Sequence, residues 1–179
     1  MRAKRLLKKR LGLITLVELP KATVASCEVT SGDPERESAE MMAAWLHANL
    51  GLKPGEGGTR SFGFDCHKGR EIPEGCRIYH QYVTLPEGSR AAGDERVSIK
   101  EFPGGRFARV AVHDPFSCDF PLAWSVLLQW VFRHKIPHRL GCASAKDCYS
   151  LFSNEESPCL EEIYSANGEE YMAMYLPIK

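Results

Sequence analysis

The sequence lacks a long apolar run. Its longest, Leu122 to Phe132, is interrupted by Ser125 and Gln129, well short of the roughly 18–20 residues that span a bilayer as a helix. It also lacks an excess of one charge: 23 Lys and Arg stand against 23 Asp and Glu. That balance is uneven along the chain. Arg2, Lys4, Arg5, Lys8, Lys9 and Arg10 lie in the first ten positions, which leaves the remaining 169 residues at −6. A mildly acidic body argues against direct nucleic-acid binding, which needs a basic groove. No C-x-x-C pair occurs, so a zinc ribbon or a thioredoxin-type site is poorly supported. Neither G-x-x-x-x-G-K-[ST] nor G-x-G-x-x-G is present to cradle a nucleotide phosphate. No G-x-S-x-G elbow is present to present a nucleophilic serine.

What is there is ordinary for a folded domain: 179 residues, 44% hydrophobic and 26% charged. That excludes disorder and fits one domain or two small halves. Residues 1–12 read as a solvated basic arm, because Gly12 to Val17 is too short for a secretory apolar segment before Glu18. The seven cysteines (27, 66, 76, 118, 142, 148 and 159) are odd in number. Cys142 and Cys148 lie near His134 and His138, but the spacing matches no zinc template. The expectation is free thiols in a reducing, cytoplasmic compartment, with no metal and no cofactor.

The chain resembles itself at an offset of 83 residues. Glu18-Leu19-Pro20 with Ala25 recurs as Glu101-Phe102-Pro103 with Ala108, and the ends of the two copies match too, Leu85-Pro86 with Leu176-Pro177, at a longer spacing. Strand-like runs follow in each copy, Val24 to Thr30 and Phe107 to His113. Helical periodicity comes next. Ala39, Met42, Ala43, Leu46 and Leu50 form one stripe, stopped by Gly51; Phe120, Trp124, Leu127, Leu128 and Val131 form the other. Asp119 is a candidate N-cap for the second. Two strand candidates close each copy: Ser61 to Cys66 with Arg77 to Leu85, and Cys159 to Ser165 with Glu170 to Leu176. Each half, 13–87 and 94–179, therefore reads β-α-β-β. The expected fold is α+β: a duplicated module with an antiparallel sheet, two main helices and a central ligand groove at the pseudo-two-fold, where small molecules favour a concave site.

In Leu160-Glu161-Glu162-Ile163-Tyr164, alternation puts Leu160, Glu162 and Tyr164 on one face. A carboxylate between a leucine and a tyrosine is either solvent-facing, paired with an arginine such as Arg77 or Arg109, or held as a buried charge that attracts flat lipophilic cations. Candidate cage residues are Tyr79, Tyr82, Phe107, Phe116, Trp124 and Tyr171, with Tyr175 and Trp130 nearby in sequence. Core packing is the competing reading for each. Among the histidines, His80 and His113 are candidate acids or bases; His47 and His67 read as surface or hydrogen-bonded residues. If the chain is an enzyme, Glu162 would act on a water and a tyrosine hydroxyl such as Tyr164 would steady the leaving oxygen.

Three stretches resemble the GyrI-like small-molecule-binding domains, relatives of the effector-binding domains of AraC- and MerR-type drug-responsive regulators. They are Glu101 to Ala108, the W-x-x-L-x-x-W helix Trp124 to Trp130, and Cys159 to Tyr164 with Leu176-Pro177-Ile178. The resemblance covers about Leu13 to Lys179. It implies the duplicated β-α-β-β fold and binding of bulky, often cationic, aromatic compounds by aromatic side chains and a glutamate that falls on Glu162. Some members of the family are similar to hydrolases that open the cyclopropyl ring of cyclopropanoid DNA-alkylating toxins. A gyrase-inhibitor-like role toward a protein partner is a third implication. No helix-turn-helix precedes the domain in this chain, so a stand-alone member is expected.

Overall fold

A computed structural model describes residues 12–67, 69–115, 120–148 and 157–179. The expected arm (apart from its last residue), Phe116, the Asp119 cap and residues 149–154 of the loop 141–154 lie outside these. The fold is α+β, with eight strands and three α-helices among the described residues: β1 (Thr15–Leu19), β2 (Ala22–Ser31), α1 (Pro34–Leu50), β3 (Ser61–Asp65), β4 (Arg77–Thr84), β5 (Ser98–Phe102), β6 (Gly105–His113), α2 (Phe120–Arg133), α3 (Ala145–Cys148), β7 (Leu160–Ala166) and β8 (Glu169–Pro177). Contacts group the chain into two compact units.

The unit formed by residues 20–104 orders its strands β3-β4-β2-β5, all antiparallel. Pro34 opens α1 in the first turn, Glu35 and Glu37 place negative charge at its N-terminus, and Gly51 ends it in the left-handed region at φ 66°. These are favourable end signals. The buried stripe of α1 is Ser38, Met42, Trp45 and Leu46, turned from the expected one. Ala39 is exposed, because Trp45 carries far more apolar surface than an alanine and decides which way the helix rolls. Ser38 is tolerated there because its one O–H has two acceptors within reach, the Glu35 carbonyl at 3.0 Å and Gln81 Oε1 at 3.2 Å. Under the helix lie Ala25, Cys27 and Val83.

The other unit holds residues 12–19, 105–115, 120–148 and 157–179, ordered β1-β6-β8-β7 and again antiparallel. The strand that opens the first half of the sequence, β1, pairs with β6; the strand that opens the second half, β5, pairs with β2. Helix α2 buries Ala123, Trp124, Leu127, Leu128 and Val131 against Ala108, Val110, Val112, Met174 and Leu176. Those five strand residues are all even-numbered, so the odd-numbered positions of β6 and β8 point to the sheet face without the helix.

Two expected free thiols are instead joined: Cys142 and Cys148 form a disulfide, with Cα atoms 5.4 Å apart. The short turn into α3 folds the chain back and brings the Cα atoms within bridging range. Cys27, Cys76 and Cys159 are free thiols. No described helix is long and apolar enough to cross a membrane.

Candidate functional site

The helix-free face of residues 105–179 carries Phe107, Arg109 and His113 on β6, Leu160, Glu162 and Tyr164 on β7, and Tyr171, Ala173 and Tyr175 on β8. Register decides who meets whom. Glu162 is directly opposite Ala173, Tyr164 opposite Tyr171, and Tyr175 is flanked by Arg109 and Leu160. The small Ala173 leaves room beside Glu162. The diagonal neighbour Tyr175 fills that room, as cross-strand diagonals allow for long side chains.

Glu162 is only 6% exposed. Its carboxylate accepts a hydrogen bond from the Tyr175 hydroxyl at 2.5 Å. That hydroxyl in turn accepts from Arg109 Nε at 3.2 Å, and Arg109 Nη2 donates to the Tyr164 hydroxyl at 2.7 Å. The chain of contacts runs Glu162, Tyr175, Arg109, Tyr164. The acid is thus neither solvent-facing nor directly ion-paired with Arg109; a tyrosine hydroxyl stands between the two charges. Burial, then the Glu162 charge and hydrogen bond, push the Tyr175 phenol from 10.0 up to about 12, so it is a neutral donor at pH 7. Burial works against the Arg109 cation, but its hydrogen bonds to Tyr175 and Tyr164 help hold its pKa above the ordinary value.

Aromatic surfaces complete the cluster. Phe107 meets Tyr175 edge-on at 6.2 Å, and Tyr164 stacks on Tyr171 at 5.5 Å with planes 20° apart. Both are favourable arrangements. His113 stands edge-on to Tyr171 at 5.4 Å, with Nε2 3.4 Å from Glu169.

Of the expected site residues, Glu162, Tyr164, Phe107 and Tyr171 share this face. Trp124 does not join them. Its indole N–H donates to Glu161 at 3.1 Å in the core beneath α2, since Glu161 alternates to the other face from Glu162. Tyr79 and Tyr82 belong to the other unit. Tyr79 is on the α1 side, its ring and hydroxyl filling the space that a side chain at position 63 would take. Tyr82 is on the opposite side, edge-on to Phe64 at 5.1 Å, with Lys100 Nζ 6.0 Å from its ring centre. Periodicity did not select the two residues that complete this cluster, Arg109 and Tyr175. The register that would reveal them, Arg109 beside Tyr175 and Tyr175 diagonal to Glu162, depends on how three separate strands align.

A second polar cluster sits in residues 20–104. Glu28 accepts two hydrogen bonds from Arg70, at 2.6 and 2.7 Å, and lies 2.7 Å from His80 Nε2. Arg70, above all, holds the Glu28 carboxyl below its usual value. His80 stacks on Phe64 at 5.1 Å. A cavity of about 720 Å³ lies beside it, lined by Glu28, His80, Met41, Arg96, Val97 and Lys100 among others. No group of three or more His, Cys, Asp or Glu is arranged to hold a metal among the described residues.

Neither a family model nor a curated protein sequence matches the chain. Solved structures do. The C-terminal domain of EcmrR aligns over 93% of this chain and 97% of its own, at 15% identity and a TM-score of 0.60. SAV2435, solved with tetraphenylphosphonium bound, aligns over 94% of both chains at 10% identity and 0.53. A hydrolase from Listeria innocua aligns over 99% and 98% at 10% identity and 0.56. The chain has a GyrI-like fold. At these identities the likeness fixes the GyrI-like architecture, and the chemistry has to be argued from the side chains.

Proposed function

We propose that the chain binds bulky, lipophilic aromatic compounds, cations among them, at the cluster of Glu162, Tyr175, Arg109, Tyr164, Tyr171 and Phe107. The observation that carries this reading is the carboxylate of Glu162, 6% exposed and hydrogen-bonded to Tyr175, on a sheet face it shares with the rings of Phe107, Tyr164, Tyr171 and Tyr175. A buried carboxylate is costly, and helix packing does not explain this one, since it faces away from α2. Rings supply flat apolar area and a negative π-face; the acid supplies charge. The tetraphenylphosphonium held by SAV2435 is a ligand of that kind. Cation and acid are partners of opposite sign, so Glu162→Gln should weaken a cationic triarylmethane dye about tenfold, and a neutral analogue of similar shape far less. Equal losses for the two dyes would remove the charge argument.

A second reading is favoured by the Glu162–Tyr175 pair itself. A carboxylate hydrogen-bonded to a neutral phenol can take a proton from water while a tyrosine hydroxyl donates to an oxygen that gains charge. In this reading the pair adds one water across a strained cyclopropyl ring: hydroxide forms a bond to a ring carbon, the ring bond breaks, and its electrons pass to a conjugated carbonyl that is protonated. Tyr175, rather than Tyr164, is then the residue beside the acid. Mass spectrometry of a cyclopropanoid substrate after incubation tests it, and formation of the water adduct at the buffer rate would rule it out for that compound.

A further inference from the structure

Arg109 has five N–H donors. Nε–H goes to Tyr175 and one Nη2–H to Tyr164. Among the described residues no protein acceptor takes the other three, both on Nη1 and one on Nη2. The group is half-buried, its guanidinium carbon 5.2 Å from the Tyr164 ring centre and 5.7 Å from that of Tyr175. Beyond their two hydroxyls, those side chains offer it no further oxygen acceptor. The charges also matter. Glu162 and Arg109 carry opposite charges, so a simple cation held beside the acid uses only one of the two. The cluster has two poles along one ring-lined row, an acid at one end and unused planar donors at the other.

We infer that this face selects aromatic compounds carrying both a cationic centre and an acidic oxygen group, the latter seated on the outer donors of Arg109. This rests on the proposed binding role of the cluster and names its ligand class. A guanidinium matches a carboxylate through two parallel hydrogen bonds, and Nη1 with the remaining Nη2 N–H presents that fork. A lysine in its place would offer charge without the planar pair.

The test uses rhodamine B, whose free carboxylate makes it a zwitterion at neutral pH, and its ethyl ester, a cation of nearly the same shape. Fluorescence anisotropy with the full chain should give an acid-over-ester preference of about tenfold, the size expected for a charged hydrogen-bonded pair. In Arg109→Gln the ratio should fall to about one, and in Arg109→Lys it should sit between. Circular dichroism checks that each variant is folded. Equal affinity of the two dyes for the unaltered protein overturns the inference while leaving the binding site itself standing. Failure of both dyes to bind overturns both.

Discussion

Tyr175 is 2% exposed and links the buried Glu162 to Arg109. Removing its hydroxyl takes a donor from a buried carboxylate and an acceptor from a half-buried guanidinium, so Tyr175→Phe should cost roughly 1–3 kcal/mol. Urea unfolding measures this, and a loss below about 0.5 kcal/mol would mean that water or another group replaces the hydroxyl without penalty. Two glycines show how a single Cβ acts differently by position. At Gly51, in the left-handed region, nothing lies within 4 Å of an added Cβ, so Gly51→Ala should cost only the backbone strain, about 1 kcal/mol. At Gly63 an added Cβ would collide with the Tyr79 ring. Gly63→Ala should therefore cost more than Gly51→Ala, and the reverse order in thermal melts would show that Tyr79 moves away freely. The acid was visible in the sequence through its alternation with Leu160 and Tyr164. Tyr175 stood in the sequence only as a nearby aromatic and Arg109 only as one of two candidate arginines, because nothing local in Phe107–Arg109 or Met174–Tyr175 says which strand each will lie beside.

At the scale of elements, legibility followed burial. Helix α2 was readable because its stripe, apart from the half-buried Phe120, is fully inside: Leu127, Leu128 and Val131 have no exposure at all. Leu128→Ala should accordingly destabilise by about 2–5 kcal/mol in denaturant titration, with a smaller value indicating that the core beneath α2 collapses into the gap. Helix α1 was readable in extent but not in rotation, since two alanines give a weak stripe that Trp45 overrides. The strands β2, β4, β6, β7 and β8 carry enough alternation or apolar content to be seen. Strands β1 and β5 do not: TLVEL and SIKEF each bury one residue of five. Backbone ladders to β6 and β2 hold them, and a ladder leaves no side-chain pattern. Trp124 was read as a cage candidate from its size; the helix that carries it packs on the face opposite Glu162.

For the molecule as a whole, pH acts through groups whose titration differs between folded and unfolded chains. Tyr175 has its pKa raised from 10.0 to about 12. Its contribution is therefore fully present below pH 10 and is lost as pH rises from about 10 toward 12. The stability of Tyr175→Phe should fall less steeply over that window than that of the unaltered protein; parallel slopes would show that this phenol is not the titrating group. Glu28 runs the other way. Arg70 and His80 depress its pKa below 4.5, so its contribution is present above that value and fades as acid lowers the pH through the depressed one. Overall charge told little about the site, because zero net charge and an acidic body describe the surface, whereas the deciding charges are one buried acid and one half-buried arginine.

The most direct test labels the tyrosine rings with carbon-13 and titrates the protein with tetraphenylphosphonium under NMR. The account predicts saturable shifts of Tyr164, Tyr171 and Tyr175, with Tyr79, shielded between its strand and α1, unmoved. Shifts confined to Tyr79 and Tyr82, or none in the Glu162 cluster at saturating ligand, would contradict it.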